Sequence, residues 1–346
     1  MHRVLELFIA RAEHNRFHYE LSLAGEPETC YVHGDTVGTR GEISDLVEAL
    51  HAKIDAILVS SRKSTKEIGL ELEHELTPHG CKLAKLFFGD GLGDVCIGVG
   101  QSDVLTIMPD IQKRCGLVDE HEGKLSWEKI PFEWMCLPAG ETMSGGVFLG
   151  DVIHVTRPVY KNGQVNPQRF AARENLVRHR NRIVVRGPGV GKAAVAAFEP
   201  REFETLKEAM KEIGARDFVV VVAHGPEMRE AEHPVIKITK QPYHIDLASV
   251  YTFKMGALVL LCVCFGHTFA QPFVEHSKVV VWAATAKVRP KDVRVMVREI
   301  MAVLGDYRDT DFHLVEFAKE VRAKVSPAAR RCFAFTGKWN VQLLND

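Results

Sequence analysis

Phe218-Val219-Val220-Val221-Val222-Ala223-His224-Gly225 and Leu258-Val259-Leu260-Leu261-Cys262-Val263-Cys264-Phe265-Gly266 are the two stretches on which the fold turns. Each is an unbroken apolar block that ends in a reactive side chain, with a glycine close behind. A strand that is apolar at every position, and not just at alternate ones, has both faces covered, as in a parallel sheet between helices. In an open sheet of that kind, functional groups gather at the carboxyl ends of the strands. If the two blocks are neighbouring parallel strands, the imidazole of His224 and the thiol of Cys264 project from one edge. That pairing suits covalent chemistry on an amide: a thiolate attacks the carbonyl, and the histidine manages the proton for the leaving amine. Gly225 lets the backbone approach substrate closely, so its N–H and that of Cys264 are a candidate oxyanion site.

Working outward, Ile183-Val184-Val185 and Lys278 to Trp282 read as further strands. Glu202 to Ile213 reads as a helix with Phe203, Leu206, Met210 and Ile213 on one face, and Asp292 to Leu304 as another. Strands alternating with amphipathic helices predict an α/β fold with a mostly parallel sheet. Before this region the chain from Tyr160 to Asn181 is polar and rich in arginine (Arg169, Arg173, Arg178, Arg180). It reads as a linker or solvated helix, with a processing site as the other reading. Earlier still, Leu5, Leu7 and Ile9 followed by Phe17, Tyr19, Leu21 and Leu23 alternate at period two across a polar turn, which predicts a hairpin. Helical spacing covers Ile43 to Ser60 and about Thr65 to Leu86, the second interrupted at Pro78 and Gly80. Val104 to Met108 and Val152 to Thr156 read as strands.

With 346 residues and a formal net charge of −1, the chain has room for two subdomains and no global basic field for nucleic acid or an anionic membrane. The start lacks a secretory pattern, and the most apolar run, Ala257 to Phe265, is far shorter than the roughly 20 residues of a spanning helix. The eight cysteines (30, 81, 96, 115, 136, 262, 264, 332) include no CxxC pair, and the sixteen histidines form no zinc-finger or HExxH pattern. Reduced thiols in a cytoplasmic protein, with no metal and no cofactor, is the expectation. His14 and His18 would be neighbouring ligands on a helix, but on a strand they share a face at a longer span. Gly187-Pro188-Gly189-Val190-Gly191-Lys192 approaches a phosphate loop, yet Arg186 stands where the first glycine belongs and Ala193 where the magnesium-binding hydroxyl belongs. His33-Gly34 and His79-Gly80 follow no long buried strand and read as turns.

A hydrophobic block ending in His-Gly, a spacer, and a hydrophobic block ending in cysteine together resemble the caspase-like (clan CD) cysteine peptidases. The chain looks closest to their bacterial CHAT branch, related to separase. Lys129-Ile130-Pro131-Phe132-Glu133-Trp134 resembles the segment that precedes the catalytic core in that branch. Phe148-Leu149-Gly150 through Arg157-Pro158 resembles the strand after it, and Val279-Val280-Val281-Trp282 the strand beyond the nucleophile.

The resemblance implies a three-layer α/β/α caspase-like domain over 141–346, after an N-terminal α/β subdomain over 1–140. It implies a cysteine endopeptidase that cuts a protein partner and answers to an upstream activator or protease, in bacterial defence or cell death. A catalytically silent binding or scaffold module is the alternative. His224 and Cys264 would be the dyad. Arg186 matches in position the basic residue with which caspases hold an acidic P1 side chain, an exposed surface arginine being the other reading. Trp282 would wall a substrate subsite or serve as a plain core aromatic. Many members have Ser-Ala-Cys where this chain has Cys262-Val263-Cys264, so Cys262 is a rival nucleophile. It also occupies the position where Arg- and Lys-specific relatives carry an aspartate.

Overall fold

The computed structural model describes residues 2–59, 63–109, 130–138, 146–157, 175–186, 201–203, 217–223, 258–264, 266, 280–284, 288–307, 310–325, 333–337 and 339–345. The chain forms two compact units, Met1–Val59 with Leu70–Pro158, and Ser60–Gly69 with Val159–Asp346.

In the first unit the period-two alternation becomes the antiparallel pair β1 (Val4–Ala12) and β2 (Arg16–Leu23). Their turn places His14 at φ 55° and Asn15 at φ 58°, and the Arg16 N–H donates to the Glu13 carbonyl at 3.3 Å. Two successive left-handed residues give the turn a twist that matches the strands it joins. β3 (Glu26–Asp35), α1 (Arg40–Val59), α2 (Thr65–Phe88), α3 (Leu92–Gly100) and β4 (Val104–Pro109) follow. Then come the short strands β5 (Cys136–Pro138) and β6 (Gly146–Phe148), the one-turn helix α4 (Leu149–Val152) and β7 (His154–Thr156). Among the described residues they make a five-stranded sheet, order β3-β2-β1-β4-β7, antiparallel through β1 and parallel beyond it. One sheet face carries Leu5, Leu7, Ile9, Phe17, Tyr19 and Leu21, all buried. Phe87 of α2 packs there, with ring centroids 5.6 Å from Tyr19 and 5.2 Å from Phe132.

α2 runs unbroken through Pro78, contrary to the interruption expected there. Proline removes one backbone donor and crowds the preceding turn. The carbonyl that loses its donor is that of His74, and the two beside it accept side-chain donors: Thr77 Oγ1 donates to Glu73 O at 2.7 Å, and His79 Nδ1 lies 3.0 Å from Glu75 O. Nor does Gly80 stop the helix. A Cβ there would sit 2.4 Å from the Trp134 carbonyl oxygen and 3.1 Å from Cys136 Cβ, so the glycine lets the 134–136 segment lie directly on α2. Gly80→Ala should therefore cost stability, by about 1–3 kcal/mol, where a free helix position would gain; equilibrium denaturation measures it.

Two segments that carry the sequence resemblance meet in this unit. Phe132, Glu133 and Trp134 are buried, and Glu133 takes a two-pronged ion pair from Arg157: Nη2 donates to Oε2 at 2.7 Å and Nη1 to Oε1. Arg157 Nη2 also donates to Ile130 O at 2.9 Å. Because β6 pairs with β5 and β7 extends the first sheet, residues 146–157 belong to the first unit. The boundary expected at 140 accordingly moves to 158, and the short segment Ser60–Gly69 joins the second unit.

The second unit contains β8 (Asn175–Arg186), β9 (Arg201–Phe203), β10 (Asp217–Val222), β11 (Leu258–Cys262) and β12 (Val280–Ala284). After them come α5 (Pro290–Asp306), β13 (Phe312–His313), α6 (Leu314–Lys324), β14 (Phe333–Thr336) and β15 (Val341–Leu344). The order is β13-β15-β8-β10-β11-β12-β14, with β9 beside β8, eight strands among the described residues. β15, β8, β10, β11 and β12 run parallel, and antiparallel β13 and β14 close the two edges. Every residue of β10 and of β11 is buried. Since successive side chains on a strand face opposite ways, both faces of these strands are covered. The fold class is thus the parallel-rich α/β arrangement expected.

Two local readings differ. The end of the polar stretch is not linker or helix, because Asn175–Asn181 is the first half of β8 and pairs with β15 over 175–178. The helix expected from Glu202 gives way at its start to β9, which pairs with β8; residues 204–213 lie outside the described residues.

Candidate active site

β10 and β11 are adjacent and parallel, and their register pairs Phe218 with Leu258, Val219 with Val259, Val220 with Leu260, Val221 with Leu261 and Val222 with Cys262. Each pair is separated by 40 positions, for example 258 − 218 and 262 − 222. His224 and Cys264 are also separated by 264 − 224, that is 40 positions, just past the last pair. The described part of the first stretch ends at Ala223, 8% exposed. His224 and Gly225 lie outside the described residues, as does the 187–192 phosphate-loop lookalike.

Cys264 stands two residues beyond β11, in a turn closed by the Gly266 N–H donating to Val263 O at 2.9 Å. A Cβ on Gly266 would come 3.1 Å from that carbonyl and 3.3 Å from Leu261 Cβ, so the chain folds back tightly on the end of its own strand. The Cys264 side chain is half-buried, and its Sγ lies 3.9 Å from Val288 O, placed to donate S–H. Cys262 differs. It is the last residue of β11, 2% exposed, and burial pushes its thiol far above the ordinary range. A buried thiol held protonated is a poor nucleophile, so of the two it is Cys264 that has both access and a place at the strand end.

Arg186 is the last residue of β8 and pairs with Val222, which pairs in turn with Cys262. Three strand ends are therefore level, and the Arg186 backbone shares the sheet edge with Cys264. Trp282 does not lie at that edge. It is mid-strand in β12, 2% exposed, with its ring stacked on Phe335 (4.9 Å, 9°) and edge-on to Phe333 (5.9 Å). Its place is in the core, and the substrate-wall role is set aside for that reason.

Reading the sequence alone missed the ion pair that begins α5. Arg289 Nε donates to Asp292 Oδ2 at 2.5 Å and Nη2 to Oδ1 at 2.7 Å, with side chains 11% and 7% exposed. The signal was present as Arg-Pro-x-Asp, a helix start with proline in its first turn and an acid three residues after the cap. No group of His, Cys, Asp and Glu among the described residues is arranged to hold a metal ion. No described helix is long and apolar enough to cross a membrane.

No protein-family model matches the chain, and no curated protein matches it. Solved structures do. Separase from Saccharomyces cerevisiae, in its complex with securin, superposes with a TM-score of 0.57 at 10% identity over 98% of this chain and 30% of the separase chain. A second structure of that complex gives 0.53 at 10% identity over 99% and 30%. The Arg-specific cysteine proteinase gingipain R gives 0.44 at 8% identity over 88% and 76%. The chain thus spans about a third of the length of the separase it matches, and at this identity the likeness is one of fold. Over nearly its whole length the chain shares its parallel-rich α/β fold with that part of separase.

Proposed function

We propose that this chain is a caspase-like cysteine endopeptidase with Cys264 as nucleophile and His224 as its proton-handling partner. The observation that carries this reading is the constant offset of 40 between β10 and β11, the same offset that separates the two residues. Parallel neighbours in register deliver equivalent positions to equivalent heights, which is what a dyad acting on one amide requires.

The Cys264 thiolate adds to the scissile carbonyl carbon, and the Gly225 and Cys264 N–H groups face the oxyanion that forms. Collapse breaks the C–N bond, and the departing amine takes its proton from the His224 imidazolium. Water then hydrolyses the thioester and restores the thiol. Arg186, level with the end of β10, is assigned to an acidic P1 side chain; without an aspartate at 262, the basic P1 preference of the Arg- and Lys-specific relatives has no counterpart here. The partner is a protein substrate, and the sequence resemblance sets the activity in bacterial defence or cell death under an upstream activator.

A panel of peptidyl acyloxymethyl ketones differing at P1 tests this directly. Intact-mass and peptide mass spectrometry should find one adduct, on Cys264, fastest with aspartate at P1 and lost in His224→Ala. Folded protein that takes up none of the probes would instead mark the chain as a binding or scaffold module.

A further inference from the structure

Cys264 does not face open space. Its sulfur lies 3.9 Å from the Val288 carbonyl oxygen, and the next residue is Arg289, held by two bonds to Asp292. Beyond its fork onto Asp292, Arg289 donates through Nη1 to the Lys63 carbonyl at 3.3 Å, and Lys291 Nζ donates to the same oxygen. Lys63 is fixed in turn by a capping box on the next residue. The Ser64 N–H donates to Glu67 Oε2 at 2.7 Å and the Glu67 N–H to Ser64 Oγ at 3.2 Å. Hydrogen bonds to it from the Ser64 hydroxyl and then the Ser64 backbone N–H, with the nearby Lys63 and Lys291 charges, hold the Glu67 carboxyl below the usual carboxylate range. Segment 60–69 is part of the second unit, so the whole chain of contacts from Ser64 to Cys264 lies in one compact body.

A carbonyl oxygen accepts a hydrogen bond from a thiol and repels a thiolate. Holding such an oxygen against a nucleophilic sulfur therefore turns the sulfur inward and occupies the approach to it. We infer that Arg289 and Asp292 are positioning residues that clamp the Val288 carbonyl onto Cys264 in a resting state, with the Lys63 carbonyl as the anchor from which the clamp is released. The inference rests on Cys264 being the nucleophile of the proposed peptidase. It adds to that reading a point of control: anything that pulls on the 63–64 segment loosens Arg289 and Lys291 together, and with them the oxygen that masks the sulfur.

The test is the rate at which iodoacetamide alkylates Cys264 at pH 7, read by peptide mass spectrometry in the full chain. Wild type is compared with Arg289→Gln, Asp292→Asn and Lys291→Gln, and Cys262 in the same spectra reports global opening. If the pair clamps the carbonyl, Arg289→Gln and Asp292→Asn each accelerate alkylation of Cys264 about three- to tenfold, the equivalent of one modest hydrogen bond, while Cys262 stays unmodified. Charge alone makes a different forecast, because losing a cation slows thiolate formation and losing an anion speeds it. Opposite movements in the two variants, or unchanged rates in both, overturn the inference. Should either single variant unfold, Lys291→Gln decides: its side chain touches the anchor and not the ion pair, and an unchanged rate there also overturns it. Iodoacetamide needs no catalytic histidine, so failure of the peptidase reading shows in the ketone panel and failure of the clamp shows here.

Discussion

Cys264→Ala is expected to lower hydrolysis of a cleavable peptide by about 10³-fold or more and to melt where the parent does. Cys262→Ala is expected to do the reverse, keeping activity within a few-fold while losing roughly 1 kcal/mol of stability. The contrast follows from two residues' difference in position. Cys262 closes β11 in register with Val222, is 2% exposed, and has its thiol pushed up by burial, so it fills space and stays protonated. Cys264 stands past the strand end, half-buried, in a turn that Gly266 draws tight. On the proposed mechanism, removing its sulfur deletes the atom that would form the acyl-enzyme, and it leaves few core contacts to lose. The measurement is turnover of a peptide chosen from the labelling panel, alongside thermal melts of both variants. Hydrolysis that persists in Cys264→Ala and vanishes in folded Cys262→Ala would transfer the nucleophile's role and end the present assignment.

What the sequence made legible was whatever is decided locally. The blocks at 218 and 258 read as doubly covered strands because every residue in them is apolar, and burial of all of β10 and β11 is the same fact seen in space. The hairpin of β1 and β2 was legible through its alternation and its polar turn. Elements decided by distant partners were not. Asn175–Asn181 looks solvated, yet the backbone of 175–178 is bonded to β15, some 165 residues later, a pairing that leaves no mark on local composition. Pro78 and Gly80 signal a break on intrinsic preference. The helix nonetheless continues, with Thr77 and His79 side chains bonded to the turn before the proline, and Gly80 is needed where the 134–136 backbone crosses. Trp282 is equally silent from sequence: an aromatic at a strand's end and one in its middle differ by where the strand stops, and β12 continues to Ala284. At the candidate site, the equal lengths of the two apolar blocks already implied level strand ends. The Val288–Asp292 wall beside Cys264 was invisible because no periodicity links it to that cysteine.

Arg157→Ala and Glu133→Ala are each expected to destabilise the first unit by about 3–5 kcal/mol, a drop in melting temperature on the order of 10 °C. Both side chains are nearly enclosed, at 10% and 8% exposure, so deleting one leaves the other's charge in the interior without its counter-ion. The surroundings give neither room to retreat. Gly150 lies so close that a Cβ there would be 2.9 Å from Glu133 Cβ, and Arg157 is further tied to the Ile130 carbonyl. Arg157→Lys should fall between wild type and alanine, because a single ammonium keeps the charge but cannot reproduce the two parallel bonds. The double replacement Glu133→Leu with Arg157→Met should be less damaging than either alanine variant, since it removes both buried charges at once and fills the space they vacate. Denaturant unfolding of the four variants orders these cases. If the double variant proves as unstable as the singles, packing, and not the unpaired charge, sets the cost. If Arg157→Ala melts with the parent, the ion pair does not hold the 130–134 segment against β7, and the order in which those two resembling segments occur along the chain needs another physical cause.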